Sequence, residues 1–223
     1  MSAPKREPRP RPRASRTLVI GLVGGIASGK SEVARLLAGP GGIVLDADRL
    51  AHAVLASDEV AERVRARFGA GALGPDGRPD RAALARLVFA DAAALKALED
   101  FTHPPVRAMI LARLEEARTR GVPRVVLDVP LLLEHDERSQ LAGLCDVLVF
   151  VDSDEGERAR RAAASRGWGP DELSRREAVQ LPLGEKRARA DIVIENRGSL
   201  SDLEAEVHAA LRRLGADRTS DEL

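Results

Sequence analysis

Eight residues, Gly24-Gly25-Ile26-Ala27-Ser28-Gly29-Lys30-Ser31, constrain this chain more than any other stretch. They follow the apolar run Leu18-Val19-Ile20-Gly21-Leu22-Val23 and open the helical pattern Glu32-Val33-Ala34-Arg35-Leu36-Leu37. A strand, a glycine-rich turn and a helix start, in that order, make a cradle for a phosphate chain. Glycine lets successive backbone N–H groups turn inward on an anion, and the helix start adds its positive end. Lys30 can then reach the β- and γ-phosphates, while the Ser31 hydroxyl is placed to ligate a divalent cation. Gly25, Ile26, Ala27, Ser28, Gly29, Lys30, Ser31 and Glu32 are therefore expected around a bound nucleoside triphosphate. The chain has four lysines against thirty-one arginines, and one of the four stands where this loop needs a lysine.

Composition sets the outer limits. A chain of 223 residues with 44% hydrophobic content can bury one sizeable core, with room for an inserted subdomain. A net charge of zero argues against a general nucleic-acid-binding surface, and a chain with one tryptophan and no tyrosine has few stacking platforms for bases. The balance hides an asymmetry, because residues 1–16 hold +5 and the remainder −5. Four prolines and the lack of an apolar stretch mark 1–16 as a disordered basic tail. That tail has no apolar segment of the secretory type, and no run elsewhere is long enough to span a membrane. The single cysteine, Cys145, excludes an internal disulfide framework and suits the cytoplasm. A monomer or weak homo-oligomer is expected.

The fold class follows from alternation. Ile43-Val44-Leu45, Val125-Val126-Leu127, Val147-Leu148-Val149-Phe150-Val151 and Ile192-Val193-Ile194 read as four further strands. They are continuous apolar runs, as expected of parallel strands covered on both faces. Helical patterns separate them, among them Val106, Met109, Ile110, Leu114 and Ala117, and a last helix through Leu200, Leu203, Val207, Leu211 and Leu214, capped by Ser199 or Ser201. The expectation is a three-layer α/β fold on a five-stranded parallel sheet. Residues 49–124 read as all-helical apart from the turn-rich Gly69–Gly77, too much chain for a simple crossover. They are expected to form an inserted helical subdomain near the carboxyl ends of the strands, where a second substrate would bind. The domain is taken as 17–214, with 215–223 a short tail.

Asp46, Asp48 and Asp128 all fall at the carboxyl ends of strands. Phosphoryl transfer needs an in-line hydroxyl, a cation on the phosphate oxygens and a group to take or orient the hydroxyl proton. Asp48 lies furthest past its strand and is assigned the proton-accepting role. Asp46 and Asp128 are assigned, with Ser31, to Mg²⁺ or its waters; the alternative is that they cap the next helix. Arg158, Arg160, Arg161 and Arg166 follow the fourth strand, where a mobile helix over 154–182 could close cations on the phosphates, although solvated helix faces explain some of them equally well. Asn196-Arg197-Gly198 follows the fifth strand and suits contacts to a nucleobase. Thr102-His103-Pro104-Pro105 is read as a chain break just before a long helix.

Several stretches together resemble the dephospho-coenzyme A kinase family of P-loop kinases. They are GLVGGIASGKSEVA at Gly21–Ala34, VLDADRLAH at Val44–His52 and RFGAGALGPDGRPDRAALARLVF at Arg67–Phe89. THPPVR at Thr102–Arg107, VVLDVPLLLE at Val125–Glu134 and QLPLGEKRARADIVIEN at Gln180–Asn196 continue the likeness in the same order. The resemblance implies ATP-dependent phosphorylation of the ribose 3′-hydroxyl of dephospho-CoA, with Mg²⁺ accompanying ATP. It supports Asp48 as the base and implies acceptor contacts near His103, Arg107 and Leu131. It also implies a lid bearing Arg161 and Arg166.

Three departures stand out. Ala27 occupies a position where the family usually has glycine, Glu32 one where threonine is common, and Arg166 sits about one residue from the expected lid spacing. A different small-molecule or nucleoside kinase, or a nucleotide-dependent switch, remains compatible with the loop alone.

Overall fold

A computed structural model describes residues 17–216; the tail assigned to 1–16, and residues 217–223 of the tail assigned to 215–223, lie outside the described residues. Five strands form one sheet: β1 (Leu18–Gly24), β2 (Ile43–Asp46), β3 (Arg124–Asp128), β4 (Val147–Asp152) and β5 (Ile192–Glu195), in the order β2-β3-β1-β4-β5. β1 pairs in parallel with β3, from Leu18 opposite Arg124 to Gly21 opposite Leu127, and with β4, from Ile20 opposite Val147 to Gly24 opposite Val151. β4 pairs with β5 in the same sense. Strand order runs outward to both sides of β1, so the reversal falls at the strand whose carboxyl end carries the glycine loop.

The β1, β3 and β4 runs expected from the sequence are present, each extended by a residue or so at its ends. Val19, Ile20, Val125, Val126, Leu127 and Val149 are completely buried, which is why these strands are apolar at consecutive positions. Two aspartates fix register at the amino edge. Asp146 accepts the Val19 N–H at 2.9 Å just before β4, and Asp191 accepts the Leu148 N–H at 2.8 Å just before β5.

Helix α1 (Lys30–Ala38) packs Val33, Ala34 and Leu37 on the sheet beside Leu203, Val207 and Leu211 of the last helix. A buried leucine such as Leu37 contributes about 1.5–3 kcal/mol, and its truncation to alanine would cost about 2–5 kcal/mol. Arg124 ties this layer together, donating to Ala38 O at 3.0 Å and Ala216 O at 2.7 Å. The Ala38 carbonyl lies at the end of α1 and lacks an intrahelical donor.

The described residues divide into two compact units, one spanning Asp46–Glu115 and the other taking the described residues on either side of it. The first contains α2 (Ala47–Leu55), α3 (Asp58–Phe68), α4 (Arg81–Ala90) and most of α5 (Ala92–Thr119). Each of α2, α3 and α4 starts on a side-chain cap, from Asp46, Ser57 and Asp80 respectively. The turn-rich stretch becomes a short 3-10 turn at Ala70–Ala72 and a bridge between Leu73 and Pro79.

One expectation fails here. Pro104 and Pro105 do not precede a helix; they lie inside α5, which runs unbroken for 28 residues. Each internal proline costs about 3 kcal/mol by removing a backbone donor and crowding the previous turn. The buried positions Thr102, Val106, Ile110 and Leu114 continue at a four-residue spacing through the pair, so one packed stripe holds the helix on both sides of it.

The sheet unit is completed by α6 (Asp136–Ser139), α7 (Glu155–Arg166), α8 (Pro170–Glu177), α9 (Leu183–Arg189) and α10 (Leu200–Arg213). Ser199 caps α10 through a reciprocal box with Asp202.

Candidate active site

The loop Gly24–Gly29 leaves β1 and enters α1 through backbone conformations that glycine permits. Gly29, the residue before α1, is left-handed at φ 90°. It is also tightly overlaid: a Cβ there would stand 2.2 Å from Asn196 Nδ2, and one on Gly25 would stand 2.9 Å from Arg158 Cδ and Nε. Ala27 is left-handed too, at φ 56°, despite its methyl group. The departure noted in the sequence therefore falls on a residue that pays a conformational cost of about 1–2 kcal/mol.

The loop is braced from two elements. Asn196, after β5, donates to Ser28 O at 2.8 Å, and Arg161 of α7 donates to the same carbonyl at 3.3 Å. Arg161 also reaches Ser153 Oγ at 3.3 Å and Asn196 O at 3.5 Å. Asn196 itself is buried and takes a backbone bond from its N–H to Asp152 O at 2.7 Å. The Ser28 hydroxyl is buried and has no hydrogen-bond partner among the described residues.

Lys30 donates to Gly25 O at 2.7 Å and Gly24 O at 3.4 Å, so its ammonium lies folded into the loop. Burial lowers its pKa to about 8; Asp128 and Glu134 oppose that shift, while the charges of Lys186 and Arg166 add to it. Ser31 donates to Asp128 Oδ2 at 3.2 Å, which joins the helix start to the end of β3. A hydroxyl and a carboxylate in that relation are hard oxygen donors suited to a small divalent cation. Asp46 does something else: its carboxylate caps α2 by accepting the Arg49 N–H at 3.0 Å. The capping alternative thus describes Asp46, while Asp128 accepts from the Ser31 hydroxyl.

Glu32 turns its side chain along the helix surface to Arg35, at 2.5 Å, and only its backbone N–H joins the loop, donating to Gly29 O at 3.1 Å. Ile26 is half-buried in the loop. Leu131, three residues past β3, is left-handed at φ 56°, a rare conformation for a branched side chain. In the other unit, Asp48 is exposed in the first turn of α2. His103 and Arg107 stand four residues apart on α5, hence on one face, with His103 exposed and Arg107 half-buried.

The four arginines of α7 separate clearly. Arg160 pairs with Glu157 on the surface at 2.7 Å, and Arg161 reaches the loop. Arg158 is buried against Gly25 and bonded to Glu177. Arg166 stacks on Trp168, 4.8 Å from its ring centre, with Arg176 over the same ring at 4.2 Å.

Sequence reasoning missed three charged groups here. Glu134 and Lys186 form a buried pair at 2.7 Å, and Glu134 is held below the usual carboxylate range: burial raises it, but the Lys186 hydrogen bond and charge outweigh that. Asp152, at the end of β4, is likewise raised by burial yet held low overall by Arg187 and Arg197, the latter at 2.9 Å. Its position at a strand end was the available signal.

The sequence model of the dephospho-CoA kinase family matches residues 18–202. A dephospho-CoA kinase of Symbiobacterium thermophilum is 47% identical over 195 residues, 87% of this chain and 80% of that one. The chain belongs to the dephospho-CoA kinase family. Among solved structures, TT1252 from Thermus thermophilus is 41% identical with a TM-score of 0.73, covering 89% of this chain and 98% of that one. A dephospho-CoA kinase from Campylobacter jejuni is 24% identical with a TM-score of 0.63 over 89% of this chain and 97% of its own, which speaks for the shared fold. No helix among the described residues is long and apolar enough to cross a membrane.

Proposed function

We propose that this kinase transfers the γ-phosphoryl group of ATP to the ribose 3′-hydroxyl of dephospho-CoA, releasing CoA and ADP. The observation that carries the reading is a braced phosphate loop, with Lys30 and the Ser31–Asp128 contact, inside a chain whose family match spans residues 18–202. Backbone N–H groups of the loop and the start of α1 grip the triphosphate. Lys30 leaves the carbonyls of Gly24 and Gly25 for the β- and γ-phosphates, a compact cation on a flexible stem. Arg161, already on Ser28 O, and Arg166, released from Trp168, offset charge on the transferring group.

Asp48 accepts the proton of the 3′-hydroxyl as its oxygen bonds to the γ-phosphorus and the bond from that phosphorus to the bridging oxygen breaks. His103, Arg107 and Leu131 hold the acceptor. Asn196 steadies the nucleotide end of the loop. Ser31 and Asp128 are the groups that would hold Mg²⁺; Asp46, occupied as a cap, is at most an outer contact. Mg²⁺ supplies charge neutralisation on the phosphate oxygens. Residues 49–124 serve as the acceptor subdomain and 154–182 as the lid, in a cytoplasmic enzyme that works as a monomer or weak homo-oligomer without nucleic-acid partners.

The deciding experiment is ADP release by the purified protein with ATP, Mg²⁺ and dephospho-CoA, with CoA identified by mass. Phosphorylation of dephospho-CoA should exceed that of uridine, gluconate and nucleoside monophosphates. ADP release that no acceptor stimulates would replace the kinase by a nucleotide switch.

A further inference from the structure

Two ion pairs beside the phosphate loop, one buried and one between a buried arginine and a half-buried glutamate, take no part in the transfer step. Lys186 of α9 meets Glu134 at 2.7 Å, with side chains only 4% and 11% exposed. Lys186 also donates to Gln180 Oε1 at 2.8 Å, and Glu134 accepts the Leu181 N–H at 3.1 Å. Arg158 of α7, with a side chain 7% exposed, meets Glu177 of α8 at 3.2 Å and donates to Ser153 O at 2.8 Å. A buried pair of this kind adds little net stability over apolar packing, yet it fixes geometry, because any other arrangement strands a charge.

One glycine lies under Arg158 and under the start of α9, the helix that carries Lys186. The stem of Arg158 and, at 3.4 Å, Leu183 Cδ2 at the start of α9 cover the place where a Gly25 Cβ would stand. The turn between α8 and α9 is thereby tied at three points: Glu177 to α7, and Leu181 and Lys186 to the loop after β3. Between the first two ties, Val179 is 82% exposed.

We propose that Glu134, Lys186, Arg158 and Glu177 are positioning residues that root the α8–α9 segment on the phosphate loop, holding the nucleotide in register with the acceptor and away from water. The inference rests on the phosphoryl-transfer function above and adds a device for coupling ATP consumption to transfer. A root that loosens lets ATP sit out of line, where a misplacement of about 1 Å costs roughly a hundredfold in transfer. Water, which needs no such alignment with the acceptor, loses less.

The test uses the full-length protein with ATP, Mg²⁺ and dephospho-CoA. CoA formed per ADP released, the KM for ATP, acceptor-free ADP release and the thermal midpoint are measured together. Glu134→Gln combined with Lys186→Met removes both charges while leaving no lone buried ion. It should lower CoA per ADP by about fivefold or more and raise the KM for ATP by a similar factor, with acceptor-free ADP release increased. Lys186→Arg keeps the charge and should retain about half or more of the wild-type ratio. Glu177→Gln should shift the ratio in the same direction by a smaller factor, and it decides the matter if the double variant does not fold. A ratio and a KM both within about twofold of wild type in the folded variant overturn the inference, even where total turnover falls. Wild-type protein that makes no CoA removes the proposed function instead. Acceptor-free ADP release then judges the root alone: a rise above about twofold in the variants supports it, and a smaller change sinks it.

Discussion

The phosphate loop and the Asp46–Glu115 unit present their candidate groups in opposite ways. Around the loop nearly every group is engaged: Gly29 lies under Asn196, Gly25 under Arg158, and Ser31 meets Asp128. In the helical unit Asp48 and His103 are exposed on helices whose cores are made by other residues, such as Val54, Val60 and Leu84. The first arrangement is preorganised by packing, which suits a ligand whose triphosphate is always the same shape. The second keeps the candidate group Asp48 clear of the core, so it can be changed without disturbing the fold. Mutations should therefore divide: on the loop, function and stability move together or trade against each other, whereas on the helical unit function moves alone.

Lys30→Met should break the first half most severely. Removing the cation should lower turnover by about a thousandfold. The thermal midpoint of the nucleotide-free protein should rise, because a buried ammonium is replaced by an apolar side chain of similar length. Paired kinetic and melting measurements check this trade, and a midpoint that falls would mean Lys30 helps to hold the empty loop. Asp48→Asn should show the contrast. Turnover should drop by about a hundredfold, while the thermal midpoint and ATP affinity stay near wild type. Wild-type turnover in that variant would remove Asp48 as the base.

Gly29→Ala sharpens the comparison at intermediate size. The new methyl would meet Asn196 Nδ2 at 2.2 Å on a residue held at φ 90°. A loss of about 2–3 kcal/mol in stability is expected, together with roughly tenfold weaker ATP binding. Asn196→Ala in the same chain should recover part of the stability. Recovery of none would place the whole cost in the backbone conformation.

The strands, the glycine loop and the aspartates at strand ends were legible because each is a local signal. Continuous apolar runs and a strand–glycine–helix order need no tertiary information. The path of α5 was not legible, since Pro104-Pro105 reads locally as a stop and only the buried stripe through Thr102 and Val106 overrides it. Glu134–Lys186 and Arg158–Glu177 were invisible for a related reason. Their partners lie 52 and 19 residues apart, and in a chain with 31% charged residues a single arginine or glutamate carries no information about its partner.

The loop also carries a pH signature. With Lys30 at about 8, the folded protein holds that proton less tightly than the unfolded chain, whose lysine titrates near 10.5. Below pH 8 the buried charge costs stability in full, and the cost disappears as pH rises from 8 to 10.5, so this group alone makes the empty protein more stable in alkali. ATP binding runs the other way. It favours the charged lysine, so affinity should fall by up to about tenfold per unit above pH 8, and binding near pH 8.5 should take up a proton. Titration calorimetry in buffers of different ionisation enthalpy measures that uptake. Proton uptake that persists in Lys30→Met would assign it to another group.

Ala27→Gly should produce the smallest effect, and its size separates two opposing terms. At φ 56° the methyl group costs about 1–2 kcal/mol in the folded loop. Glycine relieves this but gives the unfolded chain more freedom, at about 0.5–1 kcal/mol. The net change should be a gain of about 1 kcal/mol or less, visible as a small rise in thermal midpoint. ATP affinity should change little, because the bracing bonds to Ser28 O from Asn196 and Arg161 do not involve residue 27. A marked loss of affinity with no loss of stability would mean the alanine stiffens the loop in its binding conformation. The strain would then serve the phosphate site, and the preorganisation ascribed to neighbouring side chains would lie partly in the loop's own backbone.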